Sequence, residues 1–199
     1  MDSTRITDFN RPWYSKAINL LPQKISGKII ELGSGNGELA ELLRGRIKHL
    51  TLVDINRGRN IVRADFNRPL PFRTGEFHWA ISLEVIEHLI NHELFLKEIY
   101  RILKPNGRLI ISTPNIAWWG YRLFVFMGQP PKKEGYHLRF FTHNTLRRIL
   151  EQLGFEVLST NSFTTLPLIN RYLHHPIYPI IKYWPNLLAQ DLVFLCRKK

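Results

Sequence analysis

The stretch Glu31-Leu32-Gly33-Ser34-Gly35-Asn36-Gly37-Glu38-Leu39 decides how the rest of the chain is read. It follows a short apolar run, Lys28 to Leu32, and precedes a helical pattern that opens at Glu38 and extends to Leu43. Glycines at every second position let the backbone turn tightly and lie close against a ligand. A helix that starts just beyond them leaves its first N–H groups open. The dinucleotide fingerprint requires a glycine where this chain has Glu38, so the spacing here is G-x-G-x-G instead.

Outward from this loop, apolar runs alternate with helical patterns, which argues for a parallel sheet with crossover helices. Pro12 to Leu21 reads as a short helix and Lys28 to Leu32 as the first strand. Leu50–Val53, Ile61–Arg63 and Phe77–Leu83 read as the second, third and fourth strands. Glu93 to Leu103 carries Leu94, Ile99, Ile102 and Leu103 near helical spacing and stops at the turn signal Lys104-Pro105-Asn106-Gly107. Arg108–Ser112 is the fifth strand, Thr145–Leu153 a helix closed by Gly154, and Phe155–Ser159 and Leu192–Arg197 the last strands. Asp54 then falls at the end of the second strand, about 20 residues past the loop, where a carboxylate accepts hydrogen bonds from both ribose hydroxyls and repels a 2′-phosphate. Asp65 ends the third strand, within reach of an adenine amino group; a turn cap is the competing reading for either aspartate. Ligands of such sheets bind outside the carboxyl ends of the strands.

Composition bounds the rest. The 199 residues suffice for one domain, 1–199, with a proper core. An apolar fraction of 44% with 22% charged residues is globular rather than disordered. The single cysteine, Cys196, excludes an internal disulfide and a cysteine-based zinc site, and fits a reducing, cytoplasmic compartment. The polar start, MDSTRITDFNRPW, does not read as a signal peptide, and no apolar run has the ~18 residues of a spanning helix. The net charge of +12 implies attraction to something anionic: nucleic acid, a membrane face or a phosphorylated substrate. Residues 1–113 carry 17 basic and 12 acidic side chains, net +5, and residues 114–199 carry 11 and 4, net +7.

Two segments stand outside the strand–helix rhythm, Ile116–Thr142 and Phe163–Gln190, both rich in aromatics, prolines and basic residues. The first holds Ile116-Ala-Trp-Trp-Gly-Tyr-Arg-Leu-Phe-Val-Phe-Met127 and then Pro130-Pro131-Lys132-Lys133; the second holds Ile177-Tyr-Pro-Ile-Ile-Lys-Tyr-Trp-Pro-Asn-Leu-Leu188. Excursions from an α/β sheet are where substrate specificity usually sits. Trp and Tyr beside Lys and Arg suit a membrane interface, and equally a lid over an apolar substrate or a dimer contact. Stacking on single-stranded RNA ranks lower, because these runs are aliphatic and carry few charges.

Taken in order, Glu31 to Leu39, Asp54, Asp65, Ser82-Leu-Glu-Val-Ile-Glu-His-Leu89 and Leu103-Lys-Pro-Asn-Gly-Arg-Leu-Ile-Ile-Ser-Thr-Pro-Asn115 resemble the successive motifs of class I S-adenosylmethionine (SAM)-dependent methyltransferases, in particular the small type 11/type 23 methyltransferase domains. His137-Leu-Arg-Phe-Phe-Thr142 and Gly154-Phe155-Glu156-Val157 add to the likeness, which covers roughly residues 25–160. The resemblance implies a Rossmann-like seven-stranded, mostly parallel sheet with helices on both faces and an antiparallel last strand. It implies SAM as cofactor. Glu31 with Gly33, Ser34, Gly35 and Gly37 would hold the methionine part, Asp54 with neighbouring Ile55 the ribose, and Asp65 with Phe66 the adenine. Leu83 and Glu84 would line the floor near the methyl group. His78 departs from the pattern, which often has an acidic residue there.

A sulfonium leaving group supplies the driving force, so the protein needs to align the acceptor and exclude water, with a general base only where the acceptor must lose a proton. His137 is the candidate base, with packing or turn structure as the alternative. Glu84-x-x-Glu87-His88, if helical, places its three side chains on one face, and His137 could complete a divalent-metal set. That set resembles metal-dependent RNA 2′-O-methyltransferases and ubiquinone-pathway O-methyltransferases; a helix-start feature without metal is the favoured reading. The expectation is therefore a SAM-dependent methyltransferase acting on a hydroxyl or similar nucleophile of a small, lipid-like or glycan-linked acceptor, cytoplasmic, with peripheral contact at the inner membrane face. The rivals are a metal-dependent RNA 2′-O-methyltransferase and a non-catalytic SAM-binding scaffold subunit.

Overall fold

Seven apolar runs pair into one sheet: β1 (Ile25–Leu32), β2 (Ile47–Asp54), β3 (Ile61–Arg63), β4 (Phe77–Leu83), β5 (Leu103–Pro114), β6 (Phe155–Thr160) and β7 (Asp191–Lys198). The computed structural model describes residues 12–130, 137–163 and 178–199. The strand order is β3-β2-β1-β4-β5-β7-β6. Strands β1 to β5 run parallel, and β7 lies antiparallel between β5 and β6. This is the expected Rossmann-like sheet with its antiparallel last strand.

Strict alternation along the central strands builds a core on each face. Ile30, Ala80, Leu109, Ile111, Phe194 and Cys196 face one cluster, and Ile29, Trp79, Ile81, Ile110, Val193 and Leu195 the other. The first face is covered by α3 (His92–Ile102) and α5 (His143–Gln152), through Phe95, Leu96, Ile99 and Ile102 and through Leu146 and Leu150. The second is covered by α1 (Pro12–Asn19) and α2 (Glu38–Leu42), through Tyr14, Ala17 and Leu39. Each fully buried Leu, Ile or Phe contributes about 1.5–3 kcal/mol of apolar transfer. Local signals set the helix starts. The Asn91 side chain accepts from Leu94 N, and Thr142 and Thr145 close a capping box.

Two local expectations are corrected. The segment Glu84–His88 is not an α-helix: Glu84 takes a left-handed φ of 57° directly after β4, and only Ile86–His88 close a 3₁₀ turn. Glu84, Glu87 and His88 therefore do not share a helical face. Nor do Lys104–Gly107 separate helix from strand. Strand β5 already pairs at Leu103, and the four residues bulge out of it, so Phe77 faces Leu103 while Trp79 faces Arg108. A second bulge lies in β1, between Ile25 and Lys28.

The first excursion leaves the carboxyl end of β5, and the second leaves β6 and returns into β7 at the same end of the sheet. The first contains α4 (Trp119–Phe126), and the second contains α6 (Tyr178–Ile181) and α7 (Pro185–Leu188). Buried Asn115 ties them together. Its side-chain amide donates to the carbonyls of Pro185, Asn186 and Ala189 at 3.0, 3.2 and 2.6 Å. Its own N–H donates to Gln190, and the next N–H, of Ile116, donates to Phe141. Pro131, Lys132, Lys133 and Ile177, part of the sequence reading of these segments, lie outside the described residues. No helix among the described residues is long and apolar enough to cross a membrane.

Candidate cofactor and acceptor site

The glycine loop turns at the carboxyl end of β1 and is held from β2. Gly33 N and Ser34 N both donate to Val53 O, at 2.8 and 3.1 Å. Gly33, Gly35 and Gly37 all have positive φ, at 86°, 51° and 81°. The first and second serve different ends. A Cβ on Gly33 would stand 2.2 Å from Val85 Cγ2, so a glycine there lets the segment after β4 pack on the loop. A Cβ on Gly35 would meet nothing within 4 Å, so that side of the loop is open.

Asp54 closes the loop from β2. Its Oδ2 accepts from Gly35 N and its Oδ1 from Asn56 N, both at 2.9 Å. Each oxygen keeps a further lone pair for a ligand hydroxyl. Ile55, next to it, is exposed and offers an apolar surface beside that carboxylate. Asp65 accepts from Asn67 N at 2.9 Å and pairs with Arg68, a local turn at the β3 end of the same rim. Phe66 is buried against Phe95, their ring centres 5.1 Å apart, so its ring belongs to the core and only its backbone can face a ligand.

Glu31 is the most perturbed group here. It is 3% exposed, and burial, with the charges of Asp54 and Glu38 adding, pushes its carboxyl up to about 8. Its Oε2, like the hydroxyl of buried Ser34, has no hydrogen-bond partner among the described residues. Buried polar atoms without partners are costly, and a cluster of them beside an open loop points to a ligand that supplies the missing bonds.

At the end of β4, Leu83 is buried and Glu84 is tied to β5: Ser112 Oγ donates to Glu84 Oε1 at 2.8 Å and accepts from Glu84 N at 3.0 Å. Glu87 is buried and accepts from Thr113 Oγ1 at 3.2 Å. Its carbonyl receives the N–H groups of Leu138 and Arg139, which brings His137 to His88 with ring centres 4.8 Å apart. One ligand atom from each of Glu87, His88 and His137 lies within 4.8 Å of the other two; Glu84 is outside this group. A small hollow beside them is lined by Glu87, His137, Tyr121 and Arg139, among others. Tyr121, Arg139 and the pin Asn115 were not singled out from the sequence. All three stand within quoted stretches, but nothing in residue spacing reveals their contacts.

A sheet of this order, with a glycine loop after β1 and carboxylates after β2 and β3, defines the Rossmann-like class of SAM-dependent methyltransferase domains. A family model described as a methyltransferase domain matches residues 8–160, and the chain belongs to that family. A probable SAM-dependent methyltransferase of Mycolicibacterium smegmatis is 28% identical over 151 residues, covering 70% of this chain and 56% of that protein. A ubiquinone/menaquinone biosynthesis C-methyltransferase of Rubrivivax gelatinosus is 25% identical, covering 75% and 67%. The chain thus spans little more than half of the first relative. Among solved structures, a SAM-dependent methyltransferase from Archaeoglobus fulgidus superposes with a TM-score of 0.67 at 18% identity, over 99% of this chain and 95% of that one.

The residues present fit SAM. An ammonium donates to carboxylates and hydroxyls, which is what buried Glu31 and Ser34 lack. The open Gly35 side leaves room for the chain that carries it, and Asp54 with Ile55 presents one polar and one apolar surface for a nucleoside.

Proposed function

We propose that this protein transfers a methyl group from SAM to a hydroxyl or similar nucleophile of a small, lipid-like or glycan-linked acceptor, working at a membrane face. The observation that carries the cofactor half is the buried Glu31 carboxyl, with an unpartnered Oε2 beside an open glycine loop. Bound there, SAM supplies an activated methyl group on a good leaving group. Glu31, Gly33, Ser34, Gly35 and Gly37 hold its methionine end, Asp54 and Ile55 its ribose, and Asp65 and Phe66 its adenine. Leu83 and Glu84 close the floor. His137, which lines the hollow and precedes the two N–H groups that the Glu87 carbonyl receives, would accept a proton from an acceptor hydroxyl.

The rim supports the acceptor half. Val125, Phe126 and Met127 at the end of α4, and Tyr183 and Trp184 between α6 and α7, are exposed, and Phe126 is 87% exposed. Lys182 lies over the Tyr183 ring at 5.0 Å. Aromatics with a basic neighbour suit the headgroup level of a bilayer. The Rubrivivax relative, named as a C-methyltransferase of ubiquinone/menaquinone biosynthesis, supports the lipid-like character of the acceptor and not the choice of a hydroxyl.

A second reading is favoured by the Glu87, His88 and His137 group, whose donor set suits a divalent ion that polarises an RNA 2′-hydroxyl. One experiment separates them. Labelled methyl from SAM is offered to a cell extract, with and without a chelator, and lipid, RNA and polar fractions are counted. Lipid-fraction label insensitive to chelator supports the proposal. Chelator-sensitive label in RNA replaces it with the metal-dependent reading, and tight SAM binding with no label anywhere replaces both with a scaffold role.

A further inference from the structure

At the opposite end of the sheet, where β1, β4 and β5 begin, lies an open groove of about 530 Å³ that methyl transfer does not use. Its walls are the two bulges. Lys24 and Ser26 come from the start of β1, His78 and Trp79 from β4, and Lys104 and Arg108 from the β5 bulge. None of the residues lining it is acidic. Lys24, Lys104 and Arg108 form no ion pair among the described residues. Glu76, two residues before His78, is engaged by Lys28 at 3.2 Å and by Arg73 N at 3.1 Å.

His78 is seated with care. Gly27 has a φ of 89°, and a Cβ there would fall 2.3 Å from His78 Nδ1, so the ring lies directly over the glycine. The β1 bulge frees Lys28 N to donate to Nδ1 at 3.1 Å. That bond makes Nδ1 the acceptor and puts the proton of the neutral ring on Nε2. Burial, and then the charge of Lys104, hold the imidazole below its ordinary range, so neutral is its resting state. Nε2 faces Lys104 Nζ at 3.2 Å. An ammonium has no acceptor, so the two meet as donors, and no acceptor among the described residues receives either. Arg108 stands over the Trp79 ring at 5.1 Å and adds a further cation to the same wall.

We propose that this groove binds a phosphate-class oxyanion, a phosphomonoester or diphosphate, whose oxygens accept from His78 Nε2 and Lys104 Nζ while Lys24 and Arg108 neutralise its charge. An oxygen that bridges the two donors from the groove side turns a repulsive contact into two charge-assisted hydrogen bonds. The site is separate from the cofactor loop, which turns at the other end of β1.

The test is calorimetric titration of the full chain with pyrophosphate at low ionic strength, for the wild type, Lys104→Gln and Lys24→Gln, with SAM titrated into each as a control for folding. A parallel flotation arm uses phosphatidylcholine vesicles with and without phosphatidic acid. The expected result is pyrophosphate binding that either substitution weakens, Lys104→Gln by about tenfold or more, with SAM affinity unchanged. Flotation with phosphatidic acid vesicles that Lys104→Gln abolishes supports the site with a lipid headgroup as the source; pyrophosphate binding without flotation supports it with a free phosphate. No binding in either arm, or binding that both variants retain in full, overturns the proposal. Because SAM is titrated separately, a failure here leaves the cofactor reading standing, and the reverse also holds.

Discussion

At Glu31 the sign of the pH effect follows from its upward shift. A carboxyl held near 8 in the folded chain and at its ordinary value in the unfolded one binds more protons when folded. The contribution of Glu31 to stability is therefore fully present below its ordinary value of 4.5 and is lost as pH rises through about 8. Glu31→Gln removes the charge that burial penalises. In the ligand-free protein it is expected to raise the melting temperature at about pH 9 and leave it nearly unchanged at about pH 5, as scanning calorimetry in both buffers would show. No gain in alkaline buffer would mean that the buried acid is not strained. At Gly33, alanine must adopt the φ of 86° and drive its Cβ into Val85. Gly33→Ala is expected to cost about 1–3 kcal/mol by urea denaturation. The loop's place between strand and helix was legible because its spacing is local; a role for Glu31 came from the family resemblance, and its burial shows only in the fold. Phe66 was half legible: its place at the end of β3 was read, but not that its ring turns inward to Phe95.

At the scale of the element, the excursions were read as departures from the sheet, and the structure supplies what fastens them. Asn115→Ala removes the side-chain donor from the carbonyls of Pro185, Asn186 and Ala189, of which Pro185 still accepts from Ala189 N. It is expected to destabilise the chain by about 1–3 kcal/mol and to raise amide exchange in α7 above that in β5. Equal exchange in both would show that Asn115 does not fasten the segment. At the end of α4, Phe126→Ser removes an 87% exposed ring and is expected to reduce vesicle binding without lowering the melting temperature. Vesicle binding unchanged by it would remove α4 from the membrane face. Element reading failed at Glu84–His88 for a physical reason. A 3₁₀ turn aligns residues three apart but not four apart, Glu84 lies outside the turn, and nothing local announces that Glu84 must take a positive φ to reach Ser112. Lys104–Gly107 failed similarly, since a turn-forming sequence can equally bulge within a strand when both flanks pair.

Over the whole molecule, alternating runs announced a parallel α/β sheet, but its order could not be read from any one run, because it depends on which crossovers go which way. The order places the glycine loop, the ends of β2 and β4 and both excursions on one rim, and the basic groove on the other. Under the two proposals, the surplus positive charge has two separate places to act: the aromatic rim, where Lys182 sits beside Tyr183, and the groove around Lys104. The groove was invisible to sequence reading because Lys24, His78 and Lys104 come from three separate strand starts.

The central claim is that the loop and its buried acid form a SAM site, and proton-linked calorimetry tests it most directly. SAM is titrated into the protein near pH 7 in buffers of different ionisation enthalpy. Glu31 is mostly protonated there, and meeting an ammonium favours its ionised form, so the account predicts release of about one proton per SAM bound in the wild type and none in Glu31→Gln, which also binds more weakly. Absence of binding, or binding with the same proton count in both proteins, would contradict it.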